Sequence, residues 1–202
     1  MTTPRALALV CSLKPSPEPS SSEVLARQVL DELAGHGYAV ESVRVADHTV
    51  HAGVDADMGD GDQWPRLRQK VYDCDILVFA TPTWVGHMSS IAQRVLERLD
   101  AELSERDNAG RPALYGKVAV VAVVGKEDGA HKIIADSFQA LNDIGFTVAA
   151  QAGTYWNSEA MNPREYRELD KTPDAVASTT KSLATNAAHL AGLLRDRNYP
   201  AG

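Results

Sequence analysis

Residues 118–124 read Val-Ala-Val-Val-Ala-Val-Val, which is the longest apolar run in the chain. A continuous apolar run rich in valine is typical of a strand that is buried on both faces of a parallel sheet. The run is far shorter than the roughly 18 apolar residues of a membrane-spanning helix. We therefore predict a strand here, and we place it at the centre of its sheet because it is the most apolar segment of the chain.

Four shorter apolar runs accompany this strand, and stretches of helical periodicity separate them. The other predicted strands cover residues 6–11, 39–45, 76–80 and 146–150. The predicted helices cover residues 21–33, 64–71, 89–103 and 174–195, and one more helix carries Ile134, Phe138 and Leu141. This alternation predicts a doubly wound, five-stranded parallel sheet between two layers of helices, a three-layer α/β/α fold.

The length of the chain fits one such domain with some surplus. A domain of this kind needs about 150 residues, and the chain has 202. We predict a single domain over residues 1–202, with a core at about 5–153, an aperiodic segment at 155–173 and the last helix at 174–195. The loop at 46–63 concentrates acidic residues, namely Asp47, Asp55, Asp57, Asp60 and Asp62.

Composition excludes several classes of function. The net charge of −7 and the absence of a Lys/Arg cluster argue against a nucleic-acid partner, and no run is long enough to cross a membrane. Nothing in residues 1–10 resembles a secretion signal, so we expect a cytoplasmic location. Cys11 and Cys74 have neither metal-ligand spacing nor a C-x-x-C motif, so we expect two buried thiols and no metal site.

The loop after the first strand carries the first candidate site. It runs from Ser12 to Ser22 and opens directly into a predicted helix. Unpaired N–H groups and serine hydroxyls at a helix N-terminus form an anion site, which suits a phosphate group. An alternative is that Ser20 and Glu23 form only a capping box. The loop contains neither a P-loop motif nor the G-x-G-x-x-G dinucleotide fingerprint.

Two further loops follow the third and fourth strands, and parallel strands bring their carboxyl ends to one edge of the sheet. In the loop at 81–90, Trp84 can offer a flat face to a flat heterocycle such as an isoalloxazine, or it can be a packing residue. We expect His87 in this loop to be a surface or capping side chain. The loop at 124–131 has charged residues between two glycines, which alone indicates a solvated turn.

Taken together, the three loops resemble those of the flavodoxin-like NAD(P)H-dependent FMN reductases and quinone reductases. Residues 82–89, Pro-Thr-Trp-Val-Gly-His-Met-Ser, are similar to the flavin loop of that family, and residues 125–131, Gly-Lys-Glu-Asp-Gly-Ala-His, are similar to its third loop. Two features depart from the family, since Lys126 stands where asparagine is common and the first loop is rich in proline.

The resemblance implies a bound FMN and a set of residues that hold it. The phosphate would be held by Ser12, Lys14, Ser20, Ser21 and Ser22. The ring would be contacted by Pro82, Thr83, Trp84, Val85 and Gly86. The other side of the flavin would be closed by Gly125, Lys126, Glu127, Asp128 and Gly129.

The resemblance also implies a flavoprotein oxidoreductase. NAD(P)H would be the co-substrate, and a quinone, free flavin or other small molecule would accept the electrons. No side chain would be catalytic, because the flavin carries the chemistry. Relatives of this kind form homo-oligomers, either dimers or tetramers, and Tyr155 and Trp156 would form a lid or a subunit contact over the flavin. The alternatives are an electron carrier of the flavodoxin type and a module that has lost its cofactor.

Overall fold

The computed structural model describes residues 2–158 and 162–201. Its strands are β1 (Arg5–Val10), β2 (Ala39–Arg44), β3 (Ile76–Trp84), β4 (His87–Met88), β5 (Val118–Gly125) and β6 (Thr147–Asn157). Its α-helices are α1 (Ser21–Gly35), α2 (Trp64–Asp73), α3 (Ser90–Leu99), α4 (Ala130–Ile144) and α5 (Asp174–Asp196). Short 3₁₀ turns cover Val45–Asp47, Asp100–Leu103 and Tyr166–Glu168.

The five long strands form a parallel sheet in the order β2-β1-β3-β5-β6. This is the flavodoxin-like order, so the predicted fold class is confirmed. The remaining strand, β4, has only two residues and pairs antiparallel with the end of β3. The prediction that residues 118–124 are central is wrong in one respect. They lie inside the sheet, but β3 takes the middle position because burial on both faces marks every interior strand equally.

Alternation along the strands divides the core into two layers. Ala8, Val78 and Val120 face one side of the sheet, against α1 and α5. Leu9 and Phe79 face the other side, against α2, α3 and α4. Because side chains alternate with a period of two, each fully apolar strand supplies both layers.

Two strands are longer than predicted. β3 continues through Trp84, which places the start of the predicted flavin loop in the sheet. β6 runs on to Asn157 and therefore includes the beginning of the segment predicted to be aperiodic. The register between β5 and β6 shifts between Ala119 and Val121, and Gln151 has a φ of 55°. This bulge and the polar Gln151 end the apolar run at 146–150 on which the prediction relied, although the strand continues beyond them. Residues 159–161 of that segment lie outside the described residues.

The acidic loop at 46–63 is tied to the core by a buried ion pair. Nη1 of Arg98 lies 2.8 Å from Oδ2 of Asp62, and both side chains are fully buried. The same guanidinium donates hydrogen bonds to the carbonyl oxygens of Asp55 and His51. One acidic side chain of this loop is therefore neutralised inside the protein.

Both cysteines are free and buried, as predicted. Burial raises the pKa of each thiol. No helix within the described ranges, 2–158 and 162–201, has the length and apolarity that crossing a bilayer requires.

Candidate functional site

A cavity of about 690 Å³ lies at the carboxyl edge of the sheet, beyond the ends of β1, β3 and β5. This is the edge at which ligands bind in open α/β sheets, and the volume is within the roughly 300–1,000 Å³ range of small-molecule sites. The three loops predicted from the sequence meet around it. The predicted residues that line it are Ser12, Lys14, Ser20, Ser21, Ser22, Pro82, Thr83, Trp84, Gly125, Lys126 and Glu127.

The N-terminus of α1 forms one end of the cavity. The hydroxyl oxygen of Ser20 accepts a hydrogen bond of 3.3 Å from the N–H of Glu23, which is one half of the predicted capping box. The other half is not formed, because the Glu23 carboxylate pairs with Arg27 and Arg44. Among the described residues, no acceptor is paired with the N–H groups of Ser21 and Ser22. Helix caps satisfy only some of the free donors in a first turn, and the remaining ones attract an anion.

Arg44, at the end of β2, anchors the first loop from the side that faces away from the cavity. Its side chain is buried, donates a 2.5 Å hydrogen bond to the carbonyl oxygen of Glu18 and forms an ion pair with Glu23. Partial burial of Glu23 favours its protonated form, but the guanidinium groups of Arg44 and Arg27 outweigh this and lower the pKa of the carboxyl. The loop is thus fixed by a cation whose partners lie more than 20 residues away in sequence.

The second loop is a tight hairpin between β3 and β4. Val85 and Gly86 have φ angles of 53° and 72°, as the central residues of a type I′ turn require. Trp84 precedes the turn, lines the cavity and is 53% exposed. It is therefore not a buried packing residue. Val85 is 85% exposed and, like Gly86, does not line the cavity.

The third loop packs against this hairpin. Oε1 of Glu127 accepts a 2.8 Å hydrogen bond from the N–H of Val85. A Cβ atom on Gly129 would lie 2.9 Å from the backbone of Gly86, and one on Gly125 would lie 2.6 Å from the side chain of Thr83. Asp128 and Gly129 are outside the cavity lining. Gly129 therefore packs the third loop against the hairpin outside the cavity, while Gly125 and Glu127 contact the hairpin and also line the cavity.

A fourth wall completes the cavity, and of its residues only Trp156 was predicted to lie near the flavin. It consists of Trp156, Glu165, Tyr166 and Arg167, which come from β6 and from the segment that follows it. The rings of Trp156 and Tyr166 lie 5.5 Å apart. Tyr155 points to the opposite side of the sheet, where its ring meets that of His131 at 4.9 Å. Of the two residues predicted to form a lid, only Trp156 lies at the cavity, because neighbouring residues of a strand face opposite sides.

The residues of the cavity fit a flavin mononucleotide. One end offers free N–H groups, serine hydroxyls, Lys14 and Arg167 to a phosphate, while the aromatic rings and backbone of the other walls suit a planar ring. The hydroxyl of Thr83 is buried, lies on the cavity wall and has no hydrogen-bond partner among the described residues. A polar ligand would supply that partner, since buried hydroxyls are rarely left unpaired.

A model of the family described as NADPH-dependent FMN reductase matches residues 4–161. The chain belongs to this family. The match covers all three loops and the sheet through β6, so the resemblance of the loops is confirmed. Family membership supports a flavin-dependent oxidoreductase activity and implies that FMN is the flavin.

This chain matches two relatives over nearly its whole length. It is 30% identical over 207 residues to the 8-demethyl-8-aminoriboflavin-5'-phosphate synthase of Streptomyces davaonensis, covering 96% of this chain and 80% of that protein. It is 33% identical over 198 residues to a protein of Mycobacterium bovis named divalent metal cation transporter MntH. That match covers 95% of this chain but only 29% of the length of MntH.

A solved structure reproduces the fold closely. The crystal structure of RosB with the bound intermediate 8-demethyl-8-formylriboflavin-5'-phosphate superimposes with a TM-score of 0.87 and 28% identity. The superposition covers 97% of this chain and 82% of that chain.

Proposed function

We propose that this chain binds FMN in the cavity at the carboxyl edge of the sheet, takes hydride from NAD(P)H and passes electrons to a quinone, a free flavin or another small acceptor. The observation that carries the proposal is the cavity itself. Its walls include the N-terminus of α1, which suits a phosphate, and the β3–β4 hairpin, which resembles a flavin loop. FMN would supply the hydride and electron chemistry when bound. The protein then needs no catalytic side chain of its own.

The residues of the first loop would bind the phosphate. Ser21 and Ser22 offer free N–H groups at the positive end of the α1 dipole, and Ser20 fixes the first turn. Lys14 adds a positive charge at the same end of the cavity. Arg44 keeps this loop in place without reaching the ligand, since it lies behind the loop and is not part of the lining.

The hairpin and the third loop would bind the ring. Pro82, Thr83 and Trp84 form one wall, and Gly125, Lys126 and Glu127 form the adjacent wall. Trp84 would control access to the exposed face of the ring, because its side chain is half exposed at the cavity mouth. His87 lies outside the lining, with Nδ1 at 3.3 Å from Nζ of Lys132, so we assign it no contact with the ligand.

A binding and turnover assay tests this function. We expect the purified protein to take up added FMN with quenching of its fluorescence, and to oxidise NADPH or NADH when a quinone is present. FMN binding with no turnover would instead favour an electron carrier. If no flavin binds at all, the module without a cofactor would be the correct interpretation.

The relatives support a second candidate function, in which the flavin is the substrate. One relative is named as a synthase of an 8-amino riboflavin 5'-phosphate, and RosB holds an 8-formyl riboflavin 5'-phosphate as an intermediate. The same cavity would then bind a riboflavin 5'-phosphate whose 8-position is to be altered. Mass analysis of FMN recovered after incubation in air distinguishes the two, because an oxidoreductase returns FMN unchanged.

We further propose a homo-oligomer, either a dimer or a tetramer, and a cytoplasmic setting. The exposed Trp84 and Val85 at the hairpin tip support a subunit contact beside the cavity. The two unpaired cysteines support a reducing compartment. Light scattering of the purified protein measures the first of these directly.

A further inference from the structure

The segment at 162–173 lies across the N-terminus of α1 and is tethered to it by side chains. The hydroxyl of Tyr166 donates a 2.6 Å hydrogen bond to Oε1 of Gln28, and Nε2 of Gln28 donates one of 2.9 Å to the hydroxyl of Thr172. The N–H of Arg167 donates to the hydroxyl oxygen of Ser21 at 3.4 Å. These bonds hold the side chains of residues 165–167 at the phosphate end of the cavity.

A carboxylate occupies the place where that end of the cavity would receive an anion. Oε2 of Glu165 accepts a hydrogen bond of 2.8 Å from Nε of Arg167 and one of 3.5 Å from the hydroxyl of Ser21. The Arg167 guanidinium, with Lys126 adding a smaller effect, holds the pKa of Glu165 below its ordinary value. Glu165 is therefore an anion beside the N-terminus of α1, on the wall of the cavity and within reach of the Ser21 hydroxyl.

We infer that Arg167 is a phosphate ligand for the flavin, and that Glu165 holds its guanidinium until the phosphate displaces the carboxylate. This inference rests on the proposed binding of FMN and names a residue for it outside the three loops. The phosphate and the Glu165 carboxylate would compete for the same guanidinium, and their like charges repel each other at that position. Arginine suits the exchange because its planar fork binds carboxylate and phosphate with the same geometry.

The exchange would select flavins by their phosphate. A dianionic phosphate gains more from Arg167 and the free N–H groups than a single carboxylate does. Riboflavin lacks the phosphate and has nothing with which to displace Glu165. The pair thus gives the site a preference for riboflavin 5'-phosphates that is independent of contacts to the ring.

Fluorescence titration of wild type and variants with FMN and with riboflavin tests the inference. We expect Arg167→Ala to weaken FMN binding at least tenfold and to leave riboflavin binding unchanged. We expect Glu165→Gln to tighten FMN binding several-fold, again without effect on riboflavin, because Arg167 then keeps only its longer ion pair of 3.4 Å with Glu168. Arg164→Ala is the matched control, since Arg164 pairs with Asp170 and with the carbonyl oxygen of Glu168, outside the cavity lining.

The outcomes separate this inference from the function on which it rests. If wild type binds FMN and Arg167→Ala binds FMN and riboflavin in the same ratio as wild type does, Arg167 is not a phosphate ligand. Weaker FMN binding by Glu165→Gln overturns the exchange as well, and that variant carries the test if Arg167→Ala does not fold. If wild type binds neither flavin, the proposed function falls and the inference falls with it.

Discussion

Gly129 lies against Gly86 so closely that a Cβ atom on Gly129 would come within 2.9 Å of the Gly86 backbone. The two residues belong to different loops, one before α4 and one at the tip of the β3–β4 hairpin. This contact packs the two loops against each other, which fixes the spacing of the two cavity walls that they form.

A methyl group at position 129 should force the two loops apart. Gly129 also has a φ of +136°, which an L side chain adopts only with strain. We expect Gly129→Ala to lower FMN affinity at least tenfold and to reduce the melting temperature. Gly192→Ala is the control, because a Cβ there meets nothing within 4 Å and helix propensity alone should add about 0.5–1 kcal/mol of stability. Equal affinity in the two variants would contradict a role for this contact.

Glu127 should matter through its hydrogen bond to the hairpin. Removing the acceptor with Glu127→Ala takes away a hydrogen bond between the two loops. Water can bind the exposed N–H of Val85 instead, so the loss is about 0.5–1.5 kcal/mol. We expect Glu127→Ala to weaken FMN binding up to about tenfold and Glu127→Gln to restore most of it, because an amide oxygen still accepts. A glutamine variant as weak as the alanine variant would mean that the charge acts directly on the ligand.

Trp84 should affect both the affinity for FMN and the KM for the electron acceptor. Its ring is half exposed at the cavity mouth, where stacking on a flat ligand contributes about 0.5–1.5 kcal/mol beyond burial. We expect Trp84→Ala to weaken FMN binding up to about tenfold and to raise the KM for a quinone, while Trp84→Phe keeps both near wild type. Steady-state kinetics with saturating FMN separates the two effects. An unchanged KM would remove Trp84 from the acceptor path.

The buried pair of Arg98 and Asp62 should make stability depend on pH. Burial favours protonation of Asp62, but N–H groups of Met58 and Trp64 and the Arg98 guanidinium lower its pKa to about 2. A carboxyl whose pKa is lowered in the folded protein stabilises the fold at every pH above its pKa in the unfolded chain, which is near 3.8. That contribution is lost as the pH falls towards the folded pKa of about 2. Breaking a buried pair costs about 3–5 kcal/mol, so Asp62→Asn should lose about that much at pH 7.

Chemical denaturation at several pH values measures this contribution. The gap in the free energy of unfolding between wild type and Asp62→Asn should be full at pH 7 and should shrink between pH 4 and pH 2. Asp60→Asn is the matched control, because Asp60 belongs to the same loop and is exposed. A gap that stays constant across this range would mean that the Asp62 charge is not what stabilises the loop.

Local patterns predicted the strands, the helices and most of the cavity lining. Apolar runs identify buried strands but not their order in the sheet. For this reason the sequence did not predict that β3, rather than β5, holds the middle position. The residues that were missed act over long sequence distances. Arg44 pairs with Glu23 across the first helix, and Arg167 reaches Ser21 from the far end of the chain. Neither residue belongs to a motif, and only the folded chain brings them to the first loop.

The bulge in β6 has a consequence for how such a site can diversify. β6 is the last strand in the sheet order, and β5 is its only partner among the described strands. A change in the number of residues at the bulge would turn Trp156 and shift the segment that follows it, whereas β1 and β3 do not pair with β6. One margin of the sheet, together with the segment that carries Glu165 and Arg167, could therefore be remodelled for a new flavin or acceptor while the loops after β1 and β3 are inherited intact.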